Sequence, residues 1–124
     1  MRILIVDDDP VVARLMRALL ERSLECAVAV VGSKHGAEQL FGTFGKRGRP
    51  DIVLCDRELI DGQGEVVIAK MQTYPAMRGV PVIAVSGTVE PDLERRMTRA
   101  GAVAVLSKAD VHTRLVDLVR QHAA

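Results

Sequence analysis

The sequence predicts an α/β protein in which five parallel strands form one sheet and helices cover both of its faces. Two observations predict this class. Five short apolar runs are continuous rather than alternating and rich in β-branched residues, which is typical of strands buried on both faces. They occupy residues 3–6, 27–31, 52–55, 82–85 and 103–106. Segments with helical spacing and helix start or stop residues follow these runs, so that strand and helix alternate along the chain.

The first two helices are predicted from their capping residues and apolar stripes. The first begins after Asp9, with Pro10 in its first turn. Its apolar stripe contains Val12, Met16, Leu19 and Leu20. The second covers residues 33–44 and has Ser33 as its N-cap. The basic, glycine-containing segment 45–50 is then predicted to return the chain to the sheet as a solvated loop.

The remaining helices are predicted over residues 64–74, 90–100 and 110–122. Gly101 ends the middle one, since glycine commonly follows the last turn of a helix, and Asp110 is the predicted N-cap of the last. A chain of 124 residues has the usual size of one compact domain. We therefore predict a single domain over residues 1–124.

The composition excludes several classes of function. A formal net charge of +1 and only three aromatic residues provide neither the basic field nor the stacking surfaces of a nucleic-acid-binding protein. No apolar run approaches the roughly 20 residues of a membrane span, and the start of the chain lacks a signal-peptide core. Cys26 and Cys55 lie in apolar runs, which favours reduced, buried thiols. We expect a cytoplasmic protein.

Polar residues with useful chemistry follow four of the five predicted strands. They are Asp7, Asp8, Asp9, Asp56, Ser86, Ser107 and Lys108. Each has a simple structural explanation on its own, such as a helix cap, a loop hydroxyl or a solvated lysine. Because the carboxyl ends of parallel strands meet at one edge of the sheet, we expect these side chains to lie together, where open α/β sheets bind ligands.

The combination of carboxylates, a hydroxyl and an ammonium at one edge indicates phosphoryl transfer. Clustered carboxylates repel one another unless a cation neutralises them, and Mg²⁺ prefers carboxylate oxygens together with phosphate oxygens. A carboxylate beside such a metal can attack a phosphoryl group and form an acyl phosphate. Lys108 would balance the phosphoryl charge, while Ser86 would donate a hydrogen bond to a phosphoryl oxygen.

At these residues the sequence resembles the receiver domains of bacterial response regulators, over essentially the whole chain. The stretch DRELIDGQGEV, residues 56–66, resembles the loop that follows the acceptor aspartate of that family, with Gly62 and Gly64 as turn glycines. The resemblance implies a flavodoxin-like (βα)5 fold with strand order 2-1-3-4-5. It also implies that Asp56 accepts the phosphoryl group, with Ser86 and Lys108 as its stabilising partners.

The resemblance further implies a metal site and a set of partners. Mg²⁺ would be bound by Asp8, Asp56 and the backbone carbonyl of Glu58, and by Asp7 mostly through water. A sensor histidine kinase or histidine phosphotransfer protein would supply the phosphoryl group, and a downstream effector domain or protein would read it. Dimerisation on phosphorylation is a further expectation. The chain would then be a signalling module rather than primarily an enzyme.

Four positions depart from the family pattern. Ile60 and Ala109 replace prolines, so we expect a trans bond between Lys108 and Ala109. Gly87 replaces alanine and leaves space beside the phosphoryl group. Val105 replaces the aromatic residue that usually reports phosphorylation. We therefore expect the signal to leave through Ser86 and the loop 87–90.

Residues near the acceptor and two helix surfaces are predicted to modulate the site. The modulatory residues are Glu58, Gly87 and Thr88, and Glu58 is predicted to alter the lifetime of the acyl phosphate. Val11 and Leu15 could form an apolar docking patch for the phosphodonor, although a broad buried helix face also explains them. Arg95, Arg96 and Arg99 form either a surface for an acidic partner or a solvated helix face. His35, His112 and His122 receive no role.

Two other functions are compatible with parts of the sequence. Asp7 and Asp9 form a DxD pair after the first strand, as in phosphohydrolases of the haloacid-dehalogenase type, which would make Asp7 the nucleophile. The departures at Ile60, Val105 and Ala109 would also suit a pseudo-receiver, an interaction domain that no longer cycles phosphate.

Overall fold

The computed structural model describes residues 1–45 and 47–123, and it has one parallel sheet of five main strands. These strands are β1 Arg2–Val6, β2 Ala27–Val31, β3 Ile52–Asp56, β6 Val82–Ser86 and β7 Ala104–Ser107. Their order is β2-β1-β3-β6-β7. When the main strands alone are counted, this is the predicted order 2-1-3-4-5, and the fold class is confirmed. A separate antiparallel hairpin, β4 Glu58–Leu59 and β5 Gly62–Gln63, was not predicted.

Within the described residues, five α-helices cover the sheet. They are α1 Pro10–Ser23, α2 Lys34–Thr43, α3 Gly64–Met71, α4 Pro91–Ala100 and α5 Val111–His122. Helices α1 and α5 contact each other, while α3 contacts both α2 and α4. None of the helices in the described ranges combines the length and hydropathy that a bilayer crossing requires.

Two hydrophobic cores lie on opposite faces of the sheet. On one face, Ile5, Leu54 and Ile83 pack with residues of α1 and α5. On the other, Val53 and Ala84 pack with residues of α2, α3 and α4. Successive side chains of a strand point to opposite faces, so a strand covered on both sides needs apolar residues throughout. This requirement explains the continuous apolar runs in the sequence.

The predicted helix caps at the edge of the sheet are present in α1 and α2. Asp9 Oδ1 accepts hydrogen bonds from the backbone N–H groups of Val11 and Val12, at 2.9 and 3.4 Å. Ser33 Oγ accepts one from Gly36 N–H at 2.9 Å. These bonds satisfy N–H groups that have no partner within the helix. At the other end of a helix, Gly101 follows α4 with a φ of 126°, a conformation that suits glycine.

One predicted helix end is wrong, and one predicted N-cap residue is in place without its capping hydrogen bond. Helix α3 ends at Met71 rather than residue 74, because the backbone tightens into a turn in which Thr73 and Tyr74 bond back three residues. Helix α5 begins at Val111, after a 3₁₀ turn at Lys108–Asp110. Asp110 stands at the N-cap position, but its side chain makes no capping hydrogen bond.

Two predictions about burial also need correction. Lys46, in the predicted loop, lies outside the described residues. Elsewhere in that loop Arg49 is not merely solvated, since its guanidinium donates to the carbonyl oxygens of Ala76 and Arg78 at 3.2 and 3.3 Å. Cys55 is a buried free thiol as predicted, whereas Cys26 is partly exposed.

Candidate functional site

Three carboxylates meet at the carboxyl ends of β1 and β3. The two strands are adjacent and parallel, with Val6 opposite Cys55, so the residues that follow them lie side by side. Asp7, Asp8 and Asp56 each place a carboxylate oxygen within 4.8 Å of the others. Asp7 and Asp56 are buried and Asp8 is exposed. The cluster thus has a buried base and one carboxylate at the surface, an arrangement that oxygen-binding divalent cations use.

Asp7 carries a buried carboxylate whose negative charge is only partly compensated by its neighbours. Its Oδ1 accepts a hydrogen bond from Asp9 N–H at 2.8 Å, but its buried Oδ2 has no partner among the described residues. Burial, and then the nearby charge of Asp56, raise the pKa of Asp7 to about 6, although the Asp9 N–H opposes the rise. A cation beside Asp7 would satisfy the unpaired oxygen and relieve the repulsion, so the donor set fits a divalent metal.

Asp56 is held between two donors. Lys108 Nζ lies 3.2 Å from Asp56 Oδ2, and Glu58 N–H donates to Asp56 Oδ1 over 3.3 Å. Burial alone would lower the pKa of Lys108, but the negative charges of Asp56 and Asp7 outweigh it, and the pKa of Lys108 lies above its ordinary value. Lys108 is therefore a fixed positive charge at the side of Asp56.

Ser86, at the end of β6, is buried beside this cluster. Its hydroxyl donates a 2.6 Å hydrogen bond to the carbonyl oxygen of Thr88. Ser86, Gly87 and Thr88 line a cleft of about 540 Å³ together with the acidic residues Asp8, Asp9, Asp56 and Glu58. The structure thus brings the predicted acceptor, hydroxyl and lysine to one cleft, with the Ser86 hydroxyl turned toward its own loop.

The loop that follows Asp56 is built by close backbone contacts. A Cβ on Gly64 would lie 2.2 Å from the Asp56 carbonyl oxygen, and Gly64 N–H donates to Arg57 O at 2.6 Å. A Cβ on Gly62 would lie 2.4 Å from Lys34 Cδ. Neither glycine has a positive φ. Position 64 therefore needs glycine for close backbone approach rather than for an unusual turn conformation, whereas at Gly62 the flexible Lys34 side chain could move aside.

Asp61 ties this loop to helix α2, a contact that the sequence analysis missed. Its carboxylate accepts hydrogen bonds from Lys34 N–H at 2.7 Å and from His35 N–H at 2.9 Å. These two bonds lower the pKa of Asp61. The sequence signal, an Asp-Gly pair, marks a turn but does not reveal a partner 27 residues away.

The departures from the family pattern have visible consequences. Ile60, at the tip of the β4–β5 hairpin, is 83% exposed, and the loop forms this hairpin without proline. The bond between Lys108 and Ala109 is trans, as expected. A Cβ on Gly87 would meet no atom within 4 Å, so no neighbour demands glycine there. Val105 is half-buried against the core on the α2–α4 face.

One residue of the predicted docking patch is not free, and one residue of the cleft was not predicted. Val11 is exposed, whereas Leu15 packs partly against the core, so the predicted apolar patch reduces to Val11. Arg57, which follows Asp56, lines the cleft and was missed. Its Nε–H is buried and has no partner within the described part of the chain. Only its position after the acceptor could have drawn attention to it.

Asp9 does not join the acidic cluster. The cluster contains Asp7, Asp8 and Asp56, and Asp9 uses its carboxylate to cap α1. A DxD phosphohydrolase site would need Asp9 beside Asp7. The structure gives that interpretation no support.

Comparisons with known proteins agree on one family. The sequence model of the response regulator receiver domain matches residues 3–120. A polar-differentiation response regulator, DivK, of Brucella anthropi is 27% identical over 97% of this chain and 94% of its own length. The sensory/regulatory protein RpfC of Xanthomonas campestris is 32% identical over 94% of this chain, which spans only 16% of RpfC.

A solved structure shows the same fold. The receiver domain of a sensor histidine kinase from Pseudomonas aeruginosa, with magnesium coordinated in its active-site cleft, is 25% identical and superposes with a TM-score of 0.83. The alignment covers 98% of this chain and 96% of that one.

Proposed function

Because this chain belongs to the response regulator receiver domain family of two-component systems, we propose that Asp56 is its phosphoryl acceptor and that residues 1–124 form the receiver domain. One observation carries the proposal. The buried carboxylate of Asp56 lies between the ammonium of Lys108 and the amide of Glu58, beside Asp7 and Asp8, at the base of an open cleft.

In the proposed reaction, an Asp56 oxygen attacks the phosphorus of a phosphohistidine on the donor. A P–O bond forms, the P–N bond breaks, and the leaving imidazole takes up a proton. Water later hydrolyses the acyl phosphate, which returns the Asp56 carboxylate and inorganic phosphate. The chain is thus proposed to be a signalling domain with slow self-dephosphorylation rather than primarily an enzyme.

The residues around Asp56 would stabilise the negative charges of this reaction in different ways. Asp7, Asp8, Asp56 and the carbonyl of Glu58 would hold Mg²⁺, which when bound neutralises charge on the phosphoryl oxygens. Lys108 already contacts Asp56 and would balance the charge of the transferred group. The Ser86 hydroxyl would leave the carbonyl of Thr88 to donate to a phosphoryl oxygen.

This movement of Ser86 supplies a route for the signal. Breaking the bond to Thr88 frees the loop that contains Gly87 and Thr88 and leads into α4. A change in that loop does not require an aromatic residue at Val105. We therefore place the phosphorylation-dependent surface change at this loop.

The proposed donor is a sensor histidine kinase or a histidine phosphotransfer protein, and the proposed reader is an effector domain or protein. The exposed Val11 lies two residues after Asp9, which lines the cleft, and is the proposed contact for a donor helix. The proposed location is the cytoplasm. Dimerisation on phosphorylation is a further proposal from the family.

Incubation with acetyl phosphate and Mg²⁺, followed by intact-mass measurement, tests the function. We expect a labile adduct of one phosphoryl group in the wild type and in Asp117→Asn, a matched change at an exposed position of α5. We expect none in Asp56→Asn. An adduct that moves to Asp7, or turnover of many phosphoesters, would indicate the phosphohydrolase. Absence of any adduct in the wild type would indicate a pseudo-receiver.

A further inference from the structure

A second pocket, of about 500 Å³, adjoins the acceptor cleft on the side of α4. Arg57 and Thr88 line both cavities. Helix α4 supplies three more arginines, Arg95, Arg96 and Arg99. We call this cavity, with its four arginines, the arginine pocket. The arginine pocket combines Arg57 with the basic face of α4 that the sequence predicts. The sequence analysis did not connect Arg57 with that face.

The arginine pocket has unbalanced positive charge. Four arginines face two acidic residues, Glu90 and Asp92, and Asp92 already pairs with Arg95. Arg57, Arg96 and Arg99 take part in no ion pair among the described residues. The buried Nε–H of Arg57 also lacks an acceptor there. Guanidinium groups bind carboxylates and phosphates through paired hydrogen bonds, so this pocket suits an anion.

The row of arginines extends beyond the size of a single small anion. Arg95 and Arg99 also line a shallow groove with Pro91, Glu94 and Thr98 on the outer side of α4. Arg95 and Arg99 are four residues apart, so their positive charge spans about one turn of the helix and borders both the pocket and the groove. Several carboxylates in one segment would match this row, whereas one phosphate ion would contact only part of it. Charge complementarity thus favours an acidic segment of a protein.

The arginine pocket is connected to the acceptor by two residues. Arg57 follows Asp56 directly, and its backbone N–H donates to Val85 O at 2.8 Å, which fixes its main chain to β6. The Thr88 carbonyl oxygen accepts a hydrogen bond from the Ser86 hydroxyl, the group proposed to turn toward the phosphoryl oxygen. A phosphoryl group on Asp56 would also add negative charge next to Arg57 and so oppose the binding of carboxylates in the pocket.

We infer that the arginine pocket binds a carboxylate-rich segment of a partner protein and that phosphorylation of Asp56 weakens this binding. The inference rests on the proposed function, because it concerns the reader of the same site. The acceptor reports through charge and through the Ser86–Thr88 loop, without an aromatic residue on β7.

The test uses a blocked peptide of six glutamates as the probe, with a six-glutamine peptide and inorganic phosphate as comparisons. Binding is followed by NMR of the arginine Nε–H groups. We expect the glutamate peptide to shift the signals of Arg57, Arg96 and Arg99. Arg96→Gln/Arg99→Gln should weaken binding on the order of tenfold, while Arg22→Gln/Arg114→Gln, with the same change in charge, should not.

Two of the comparisons could show that peptide binding is not specific to the arginine pocket. Equal loss of binding in both double variants would mean a diffuse charge effect, and equal shifts with inorganic phosphate would mean a small-anion site. Addition of beryllofluoride with Mg²⁺ should weaken peptide binding by about fivefold, as expected for one partly screened charge interaction. An unchanged affinity would contradict the link to Asp56.

Phosphorylation of the same proteins by acetyl phosphate separates this inference from the proposed function. Arg96 and Arg99 do not line the acceptor cleft, so their double variant should still form the adduct. If the wild type forms the adduct but shows no specific peptide binding, only the arginine-pocket inference fails. If it forms no adduct, the proposed function fails first.

Discussion

Lys108 Nζ and Asp56 Oδ2 lie 3.2 Å apart although the two residues are separated by 52 positions in the sequence. The sheet brings them together, since β3 and β7 lie on either side of β6. Lys108 therefore occupies an oxygen of the proposed acceptor before any phosphoryl group arrives. This contact has opposite consequences for metal binding and for phosphoryl transfer.

Lys108→Met should slow phosphorylation by acetyl phosphate about 100-fold, as expected when one charged stabilising group is lost. The same change should tighten Mg²⁺ binding roughly fivefold, because the lysine no longer competes for Asp56. Intact-mass time courses and metal titration measure the two effects. Lys70→Met, on the exposed face of α3, is the control. Phosphorylation of Lys108→Met at the wild-type rate would refute the assigned role.

Gly64→Ala should lower the free energy of unfolding by about 1–3 kcal/mol, because the new methyl group would meet the backbone of Asp56. Urea unfolding measures this change in the free energy of unfolding, provided that the m-value is the same in the variant and the wild type. Gly87→Ala, where a Cβ meets nothing within 4 Å, should change stability far less. Equal effects of the two changes would contradict the close-contact explanation.

Asp7→Asn should stabilise the metal-free protein at pH 7 by about 1–2 kcal/mol, since one pKa unit is worth roughly 1.4 kcal/mol and solvent screens part of it. The pKa of Asp7 in the folded protein, about 6, lies above its ordinary value of 3.8. The aspartate therefore carries no cost below pH 3.8, and its destabilising effect grows as the pH rises from 3.8 to 6 and is complete above 6.

The advantage of Asp7→Asn should accordingly shrink as the pH falls from 7 toward 4, and Mg²⁺ binding should weaken in the variant at pH 7. Thermal or urea unfolding in EDTA at several pH values tests the first point. A variant less stable than the wild type in EDTA at pH 7 would show that Asp7 is a structural carboxylate rather than a repulsive one.

Glu58→Ala should change the rate of autodephosphorylation several-fold, because the exposed Glu58 lines the cleft through which water reaches the acyl phosphate. Decay of the phosphorylated mass after removal of the donor measures the rate. Glu25→Ala, an exposed acidic residue before β2, serves as the matched control. If the decay rates of wild type and Glu58→Ala coincide, Glu58 is only a solvated loop residue.

The sequence was sufficient to predict features that depend on local pattern. The five apolar runs predicted the buried strands. The residues that follow them predicted the meeting of Asp7, Asp56, Ser86 and Lys108, because the carboxyl ends of parallel strands lie at the same edge of the sheet. The roles of these residues remain predictions.

Features that depend on contacts distant in sequence could not be predicted. Asp61 caps α2 across 27 residues, and the need for glycine at position 64 comes from the carbonyl of Asp56. The early end of α3 reflects a competition between helical and 3₁₀ hydrogen bonds that the apolar spacing does not report. Arg57 lies beside the basic face of α4 because β3 packs beside β6, and the sequence does not reveal this contact.

All five residues of β3 are buried, and this strand lies at the centre of the sheet with Asp56 as its last residue. Backbone amides in such a strand exchange their hydrogens with solvent only when most of the molecule opens, whereas amides of exposed loops exchange through small local fluctuations. Phosphorylation should therefore leave hydrogen exchange in β3 nearly unchanged and alter it in the segment 87–90. The acceptor thus stands on a strand that should open only with the whole domain, beside a loop that should open locally.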